Sequence, residues 1–188
     1  MSKISVLMSV YKKENPEYLR ASLESILVQT RTADEILLIE DGPLTQELYQ
    51  VVAEYQKKCD YLHVHAMEQN VQLGRALAKG VELCQYDLIA RMDTDDIAMP
   101  DRLEKEEAYM EAHPEVDVVG GAIREFNDEG TIDRVKNMPK TQEEILEYVK
   151  VRNPLNHMTV MYRKDSILKA GNYKHFPFLE DYSLWSRM

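Results

Sequence analysis

Within the first 92 residues, four short apolar runs alternate with three segments whose apolar side chains recur three and four positions apart. The runs are Ile4-Ser5-Val6-Leu7-Met8-Ser9-Val10 and residues 35–39, 61–66 and 86–92. Between them, Tyr18, Leu19, Leu23, Ile26 and Leu27 keep helical spacing, as do Leu48, Val51, Val52 and Tyr55, and a third helix is predicted over Leu73–Leu83. Pro16 suits a first helical turn, and Thr45 is placed to cap the second helix. Strands that are apolar along their whole length are buried on both faces. A βαβαβαβ order of such strands predicts a Rossmann-like half with a parallel sheet covered by helices on both sides.

The second half changes character. Residues 100–113 read as a charged amphipathic helix stopped by Pro114, and residues 116–123 as an apolar strand containing Gly120-Gly121. Asn127-Asp128-Glu129-Gly130 is turn chemistry between two short strands. A helix starting at Thr141 and running through Ile145, Leu146 and Val149, a strand over 158–162, a short helix over 165–170 and a last helix from Asp181 to Met188 complete the reading. There are no repeats, low-complexity tracts or linkers, so the 188 residues form one α/β domain with a mixed sheet in its second half. The formal net charge of -10 argues against nonspecific nucleic-acid binding, which needs Lys and Arg to displace counterions. Cys59 and Cys84 show neither metal-ligand nor disulfide-framework spacing, so a reducing cytosol is the simplest compartment. No secretory signal is visible, and no apolar stretch approaches membrane-spanning length.

Asp93-Thr94-Asp95-Asp96 follow directly on the fourth apolar run. In open α/β sheets, ligands bind just outside the carboxyl ends of the strands. Three carboxylates this close repel one another unless something positive neutralises them. A divalent cation that bridges to a diphosphate does so, because Mg²⁺ and Mn²⁺ take hard oxygen ligands and share them with phosphates. The simpler alternative is a solvated turn whose acids cap a helix. The strand in front of the cluster favours the metal.

Acidic residues also follow the second strand, at Asp41, and stand near the end, at Glu180-Asp181. Around them lie Ile4 through Tyr11, Ile39-Glu40-Asp41-Gly42, Gln69-Asn70 through Lys79-Gly80, Arg91 through Asp96, and Phe178-Leu179-Glu180-Asp181-Tyr182-Ser183-Leu184-Trp185. With these segments, in this order and over almost its whole length, the chain resembles an inverting family 2 glycosyltransferase of the GT-A fold.

The resemblance implies roles. Tyr11 would stack on a donor uracil, a flat π contact worth about 1–3 kcal/mol, unless it is a core-edge tyrosine. Ser9 would touch base or ribose. Asp41 would accept the N3 proton of uracil, which cytosine lacks; its alternative is to cap a turn at Gly42-Pro43. Arg75 would reach base or pyrophosphate, or else lie exposed on its helix. Asp95 would be the metal ligand, with Asp93 on the ribose or in the metal's water shell, and Asp96 would order the loop or cap the next helix. Asp181 would be the general base, held ionised at the first turn of the last helix, against the alternative of an N-cap. Glu180 adjoins it on the acceptor side. His157, in Asn156-His157-Met158-Thr159, would face the cleft or be structural. The chain departs from the family's pattern at Gln72, where Gly is common, and at Ala78, where Asn is common.

By the same resemblance, residues 1–99 are the nucleotide-binding half and 100–188 the acceptor-side half. The implied activity is Mn²⁺- or Mg²⁺-dependent transfer of a hexose or N-acetylhexosamine. The donor is a UDP-sugar and the acceptor a hydroxyl of a surface polysaccharide or lipid-linked glycan. The implied place is the cytoplasm or the inner face of the plasma membrane. The chain ends seven residues after Asp181, where relatives usually continue, so a C-terminal extension is expected to complete the acceptor site and to carry any peripheral membrane contact. Two other readings remain at this point. One is a catalytically silent nucleotide-sugar-binding or assembly module. The other is a haloacid-dehalogenase-like phosphatase, which would want its Asp-x-Asp after the first strand. A sugar-nucleotide pyrophosphorylase fits less well, for want of a Gly-rich phosphate loop at the first strand.

Overall fold

The computed structural model describes residues 2–127 and 131–188. Among these, the strands are β1 (Ile4–Val10), β2 (Glu35–Glu40), β3 (Leu62–Ala66), β4 (Leu88–Arg91), β5 (Val118–Val119), β6 (Ile123–Phe126), β7 (Asp133–Lys136) and β8 (Met161–Arg163). The helices are α1 (Pro16–Leu27), α2 (Gln46–Lys58), α3 (Leu73–Leu83), α4 (Arg102–Ala112), α5 (Gln142–Tyr148), α6 (Lys164–Lys169) and α7 (Glu180–Trp185). Six strands make one sheet in the order β3-β2-β1-β4-β8-β5, and β6 pairs with β7 as a separate antiparallel hairpin. The pairs among β1 to β4 are parallel, whereas β8 runs antiparallel to both β4 and β5. The parallel half and the mixed half are those read from the sequence.

Side chains alternate across the sheet and define two cores. Val6, Met8, Ile36, Leu38 and Ala90 face α1, α2 and α4, which contribute Leu23, Ile26, Leu48, Val52, Leu103 and Met110. Leu7, Leu37, Ile39 and Ile89 face α3, α6 and α7, which contribute Leu77, Val81, Ile167, Leu184 and Trp185. Helix starts follow capping chemistry. Asn15 accepts the Glu17 N–H with Pro16 opening α1, Thr45 accepts from Leu48, and Thr141 and Glu144 form a capping box.

Several boundaries differ from the sequence reading. Residues 158–162 do not form one strand: a 3-10 turn, His157–Thr159, precedes β8. Thr159 donates its hydroxyl to the Asn156 carbonyl (2.8 Å) and accepts the Gly121 N–H (2.9 Å), a local side-chain bond that competes with the ladder. In residues 116–123 only Val118 and Val119 pair with β8; the chain leaves the sheet at Gly120-Gly121 and Ile123 already belongs to the hairpin. Of the turn assigned to 127–130, Asp128 to Gly130 lie outside the described residues. The last helix covers 180–185 and does not run to Met188, and its N-cap is Leu179, with no side-chain cap. Asp181 therefore sits inside the first turn and does not cap it. Asp96 does not cap α4 either, whose N-cap is Asp101.

Candidate active site

Strand order β2-β1-β4 places the direction change of the sheet between β1 and β4, where loops from their carboxyl ends separate and leave a crevice. Here lies a cavity of about 470 Å³, lined by residues following β1, β2 and β4, the start of α3, the segment 175–178 and Glu180. Ser9, Tyr11, Asp41, Asp93, Asp95 and Glu180, all singled out from the sequence, line it together. Tyr11 is 44% exposed, so its ring is a free face in the cavity and not a core-edge filler.

Asp41 is buried at the end of β2, and its carboxylate is already hydrogen-bonded. Asn70 Nδ2 donates to Oδ2 (2.9 Å) and the Val71 N–H donates to Oδ1 (2.6 Å). Burial pushes its carboxyl above the usual range, and the N–H groups of Val71 and Gln72 oppose that. Each oxygen keeps a second lone pair for a ligand. Gly42 lets this happen: its φ is +83°, and a Cβ there would stand 2.5 Å from the Asn70 nitrogen. Gly74 does the same across the cavity, where a Cβ would meet the Lys174 carbonyl at 2.5 Å. The close approach brings the segment 175–178, with Phe176 and Phe178, over the mouth.

The acidic triplet is held from below. Ser22 of α1 donates to the Asp93 carbonyl (2.7 Å), and Thr94 donates its hydroxyl to Glu14 (2.6 Å). Oxygens of Asp93, Asp95 and Asp96 come within 4.8 Å of one another. Burial first, then the charges of Asp93 and Asp95, push the Asp96 carboxyl up to about 6. Asp95 is also raised, by desolvation at the cavity floor, then Asp93, then Glu14. Three mutually repelling hard-oxygen donors, two of which, Asp93 and Asp95, line the cavity, fit a divalent cation. Asp93 differs from the other two, because it is ion-paired with Arg91.

The remaining candidates stand elsewhere. Arg75 is exposed on α3 and does not line the cavity, because the helix turns it away from the side carrying Gly74. His157 lies behind the cavity, its Nε2 3.0 Å from the Tyr173 hydroxyl and its ring edge-on to Trp185. Burial and then Arg91 hold its pKa well below the usual value, so it is a neutral structural histidine in this arrangement. Asp181 is 9% exposed and does not line the cavity, whereas Glu180, 8% exposed, does. Asn153 donates to Asp181 Oδ2 (2.5 Å) and the Tyr182 N–H donates to Oδ1 (2.7 Å). Asp181 is thus an oriented carboxylate. The Glu180 carboxylate has no hydrogen bond or ion pair among the described residues.

Sequence reasoning assigned no role to Glu14, Asn70, Gln72, Asn153 or the 175–178 segment. Gln72 had a signal, since Gly was the expected residue. Its φ of 72° and ψ of 155° fall in a region that only glycine occupies freely, at a cost of about 1–3 kcal/mol for a side chain. Gln72→Gly is therefore expected to raise the melting temperature, with a gain in unfolding free energy of up to about 1–3 kcal/mol. A thermal melt unchanged or lowered by the substitution would show that the strain is absent.

Comparison with known proteins agrees with this geometry. The family model described as Glycosyl transferase family 2 matches residues 5–174. The chain belongs to that family. Similar family members include the amylovoran biosynthesis glycosyltransferase AmsE of Erwinia amylovora, 45% identical over 184 residues, covering 98% of this chain and 68% of the relative. Another is the UDP-Gal:alpha-D-GlcNAc-diphosphoundecaprenol beta-1,3-galactosyltransferase of Escherichia coli, 35% identical, covering 97% of this chain and 66% of that one. Among solved structures, S. aureus TarS 1-349 in complex with UDP-GlcNAc superposes with a TM-score of 0.77 at 19% identity, covering 98% of this chain and 52% of that one. That likeness establishes the GT-A fold. The chain spans about two thirds of the length of these curated relatives and about half of the solved chain. Family membership removes the haloacid-dehalogenase-like reading, as does the position of Asp93-Thr94-Asp95 after β4 instead of β1.

Proposed function

We propose that the chain is the catalytic part of an inverting, metal-dependent transferase. It moves a hexosyl or N-acetylhexosaminyl group from a UDP-sugar to a hydroxyl of a surface polysaccharide or lipid-linked glycan. The observation that carries this is the convergence of Tyr11, Asp41, Asp93 and Asp95 on one 470 Å³ cavity at the sheet's direction change, with Asp96 within 4.8 Å of the last two. Supporting it, the named relatives serve amylovoran synthesis and a diphosphoundecaprenol-linked acceptor, and the solved neighbour carries UDP-GlcNAc. Residues 1–99 form the nucleotide half and 100–188 the acceptor side.

Tyr11 offers its face to uracil, and Asp41, held by Asn70 and Val71, accepts the N3–H. Asp95 and Asp96, with Asp93 beside them, would hold Mn²⁺ or Mg²⁺, which when bound neutralises charge on the departing diphosphate. The acceptor oxygen attacks the anomeric carbon from the face opposite the diphosphate. Asp181, oriented by Asn153, takes the hydroxyl proton as the bond to the diphosphate breaks. Glu180 closes the cavity on that side. No helix among the described residues is long and apolar enough to cross a membrane, and Cys59 and Cys84 are both buried and unpaired. A cytoplasmic site, reached at the membrane's inner face by lipid-linked acceptors, accords with this.

Calorimetric titration with UDP, CDP and GDP, each in Mn²⁺ and in EDTA, tests the reading. UDP is expected to bind about tenfold or more tighter than CDP, the usual weight of a hydrogen bond to a charged group. Asp41→Asn should narrow that gap, because an amide can donate to the cytosine nitrogen. Preference for CDP or GDP would overturn the base assignment. Metal-dependent UDP binding with no turnover by a chain of the relatives' full length would favour the silent binding module.

A further inference from the structure

Arg91 is the largest of the fully buried side chains, 1% exposed, and it lies beneath the acidic triplet. Alternation along β4 turns it to the face of Ile89, into the core that holds Tyr162, Tyr173 and Trp185. Its charge acts on both tyrosines and on His157. A guanidinium cannot discharge itself in such a place, and burying it is costly unless it is paired. Its one ion-pair partner among the described residues is Asp93, which approaches Nη1; neither Nη1 nor Nε has a partner in hydrogen-bond geometry, so the contact is chiefly one of charge. An apolar side chain of similar size would fill the same space without the desolvation cost. Core packing therefore does not account for the cation. Asp93 does: its side chain is 28% exposed and lines the cavity, so the pair joins a buried charge to the floor of the site.

We propose that Arg91 is a positioning residue of the transfer site: its guanidinium clamps Asp93 from beneath and so fixes that carboxylate beside Asp95 and Asp96, where the three would hold the cation that meets the donor's diphosphate. The assignment rests on the UDP-sugar reading above. It separates three adjacent carboxylates by environment. Asp93 is neutralised from inside the protein, and the other two await neutralisation from the ligand side. The same buried cation lies beside Tyr173, which bonds His157, so donor floor and acceptor-side core share one charge.

The test uses Arg91→Lys, Arg91→Met, Asp93→Asn and the two double variants in the whole chain, with thermal melts to establish folding and UDP titrations in Mn²⁺ and in EDTA. Arg91→Lys keeps the charge but loses the planar fork. Its UDP affinity in Mn²⁺ is expected to fall about tenfold or more, the usual cost of removing a partner that orients a metal site. Affinity in EDTA should fall much less, since Tyr11 and Asp41 are untouched. Asp93→Asn should lose a similar amount, and adding it to Arg91→Lys should cost little more, because both act through one carboxylate. Wild-type affinity in Arg91→Lys, equal losses in Mn²⁺ and EDTA, or losses that multiply in the double variant would each overturn the proposal. Should Arg91→Lys fail to fold, Arg91→Met with Asp93→Asn removes both charges together. That pair is expected to bind UDP as Asp93→Asn alone does, and a further tenfold loss would overturn the proposal. Absence of UDP binding by the wild-type chain would overturn the donor reading, and this assignment with it.

Discussion

Asp181→Asn is expected to reduce sugar transfer by two or more orders of magnitude while changing UDP affinity by less than about twofold, the signature of a lost general base. An amide accepts a hydrogen bond but takes no proton. The geometry makes the substitution a clean one: the Tyr182 N–H can still donate to the amide oxygen, and only the Asn153 contact must rearrange. Glu180→Gln is the necessary comparison, because Glu180 is the carboxylate of the pair that lines the cavity. Its loss should be smaller and should appear partly in donor binding. Steady-state transfer and UDP titration on both variants decide the matter. If Glu180→Gln abolishes transfer and Asp181→Asn leaves it nearly intact, the base is Glu180 and Asp181 only orients the turn.

The second large effect is expected at Asp95. Asp95→Asn should abolish the gain in UDP affinity that Mn²⁺ gives and leave the fold intact, since the side chain is exposed and pairs with nothing in the protein interior. Titrations in Mn²⁺ and EDTA should become indistinguishable for the variant. In the wild-type chain, Asp96, pushed up to about 6, makes protons compete with the cation as pH falls through that value. The raised pKa also has a sign for folding. The penalty of keeping this carboxylate charged is full above pH 6 and is relieved as pH falls toward its unfolded value. Added Mn²⁺ should therefore raise the melting temperature more at pH 7.5 than at pH 5.5. Equal UDP affinity with and without metal in the wild-type chain would remove the metal from the mechanism.

Much of the fold was legible because local physics and global topology agree. Continuous apolar runs such as Ile4–Val10 can only be buried on both faces, and helical-period segments between them force parallel crossovers. That order alone puts the loops bearing Tyr11, Asp41 and Asp93 at one edge of the sheet. The Asp-x-Asp cluster was legible for the same reason: repulsion among neighbouring carboxylates needs no tertiary structure to be recognised.

Tertiary structure decided what spacing cannot express. Whether Asp181 or Glu180 meets the cavity depends on a rotation of one residue along a six-residue helix, set by how Leu184 and Trp185 pack against the sheet. Arg75 and Gly74 adjoin in sequence, yet only Gly74 faces the site, because the Lys174 carbonyl lies too close for any side chain there. Asn70, Gln72 and Asn153 carry no motif that marks them. Asn70 and Asn153 act through single hydrogen bonds to carboxylates 29 and 28 residues distant, and Gln72 through a backbone angle. Arg91 is the sharpest case. In sequence it is one charged residue at a strand end, and only its burial in the folded chain, with Tyr162 and Tyr173 near its charge, shows a buried cation under the site. Sequence by itself determined which chemical groups gather at the sheet's edge, since hydrophobic periodicity sets the order and direction of the strands. Only the folded chain decided which of those groups are free and which are held, because that depends on contacts between residues far apart in the chain.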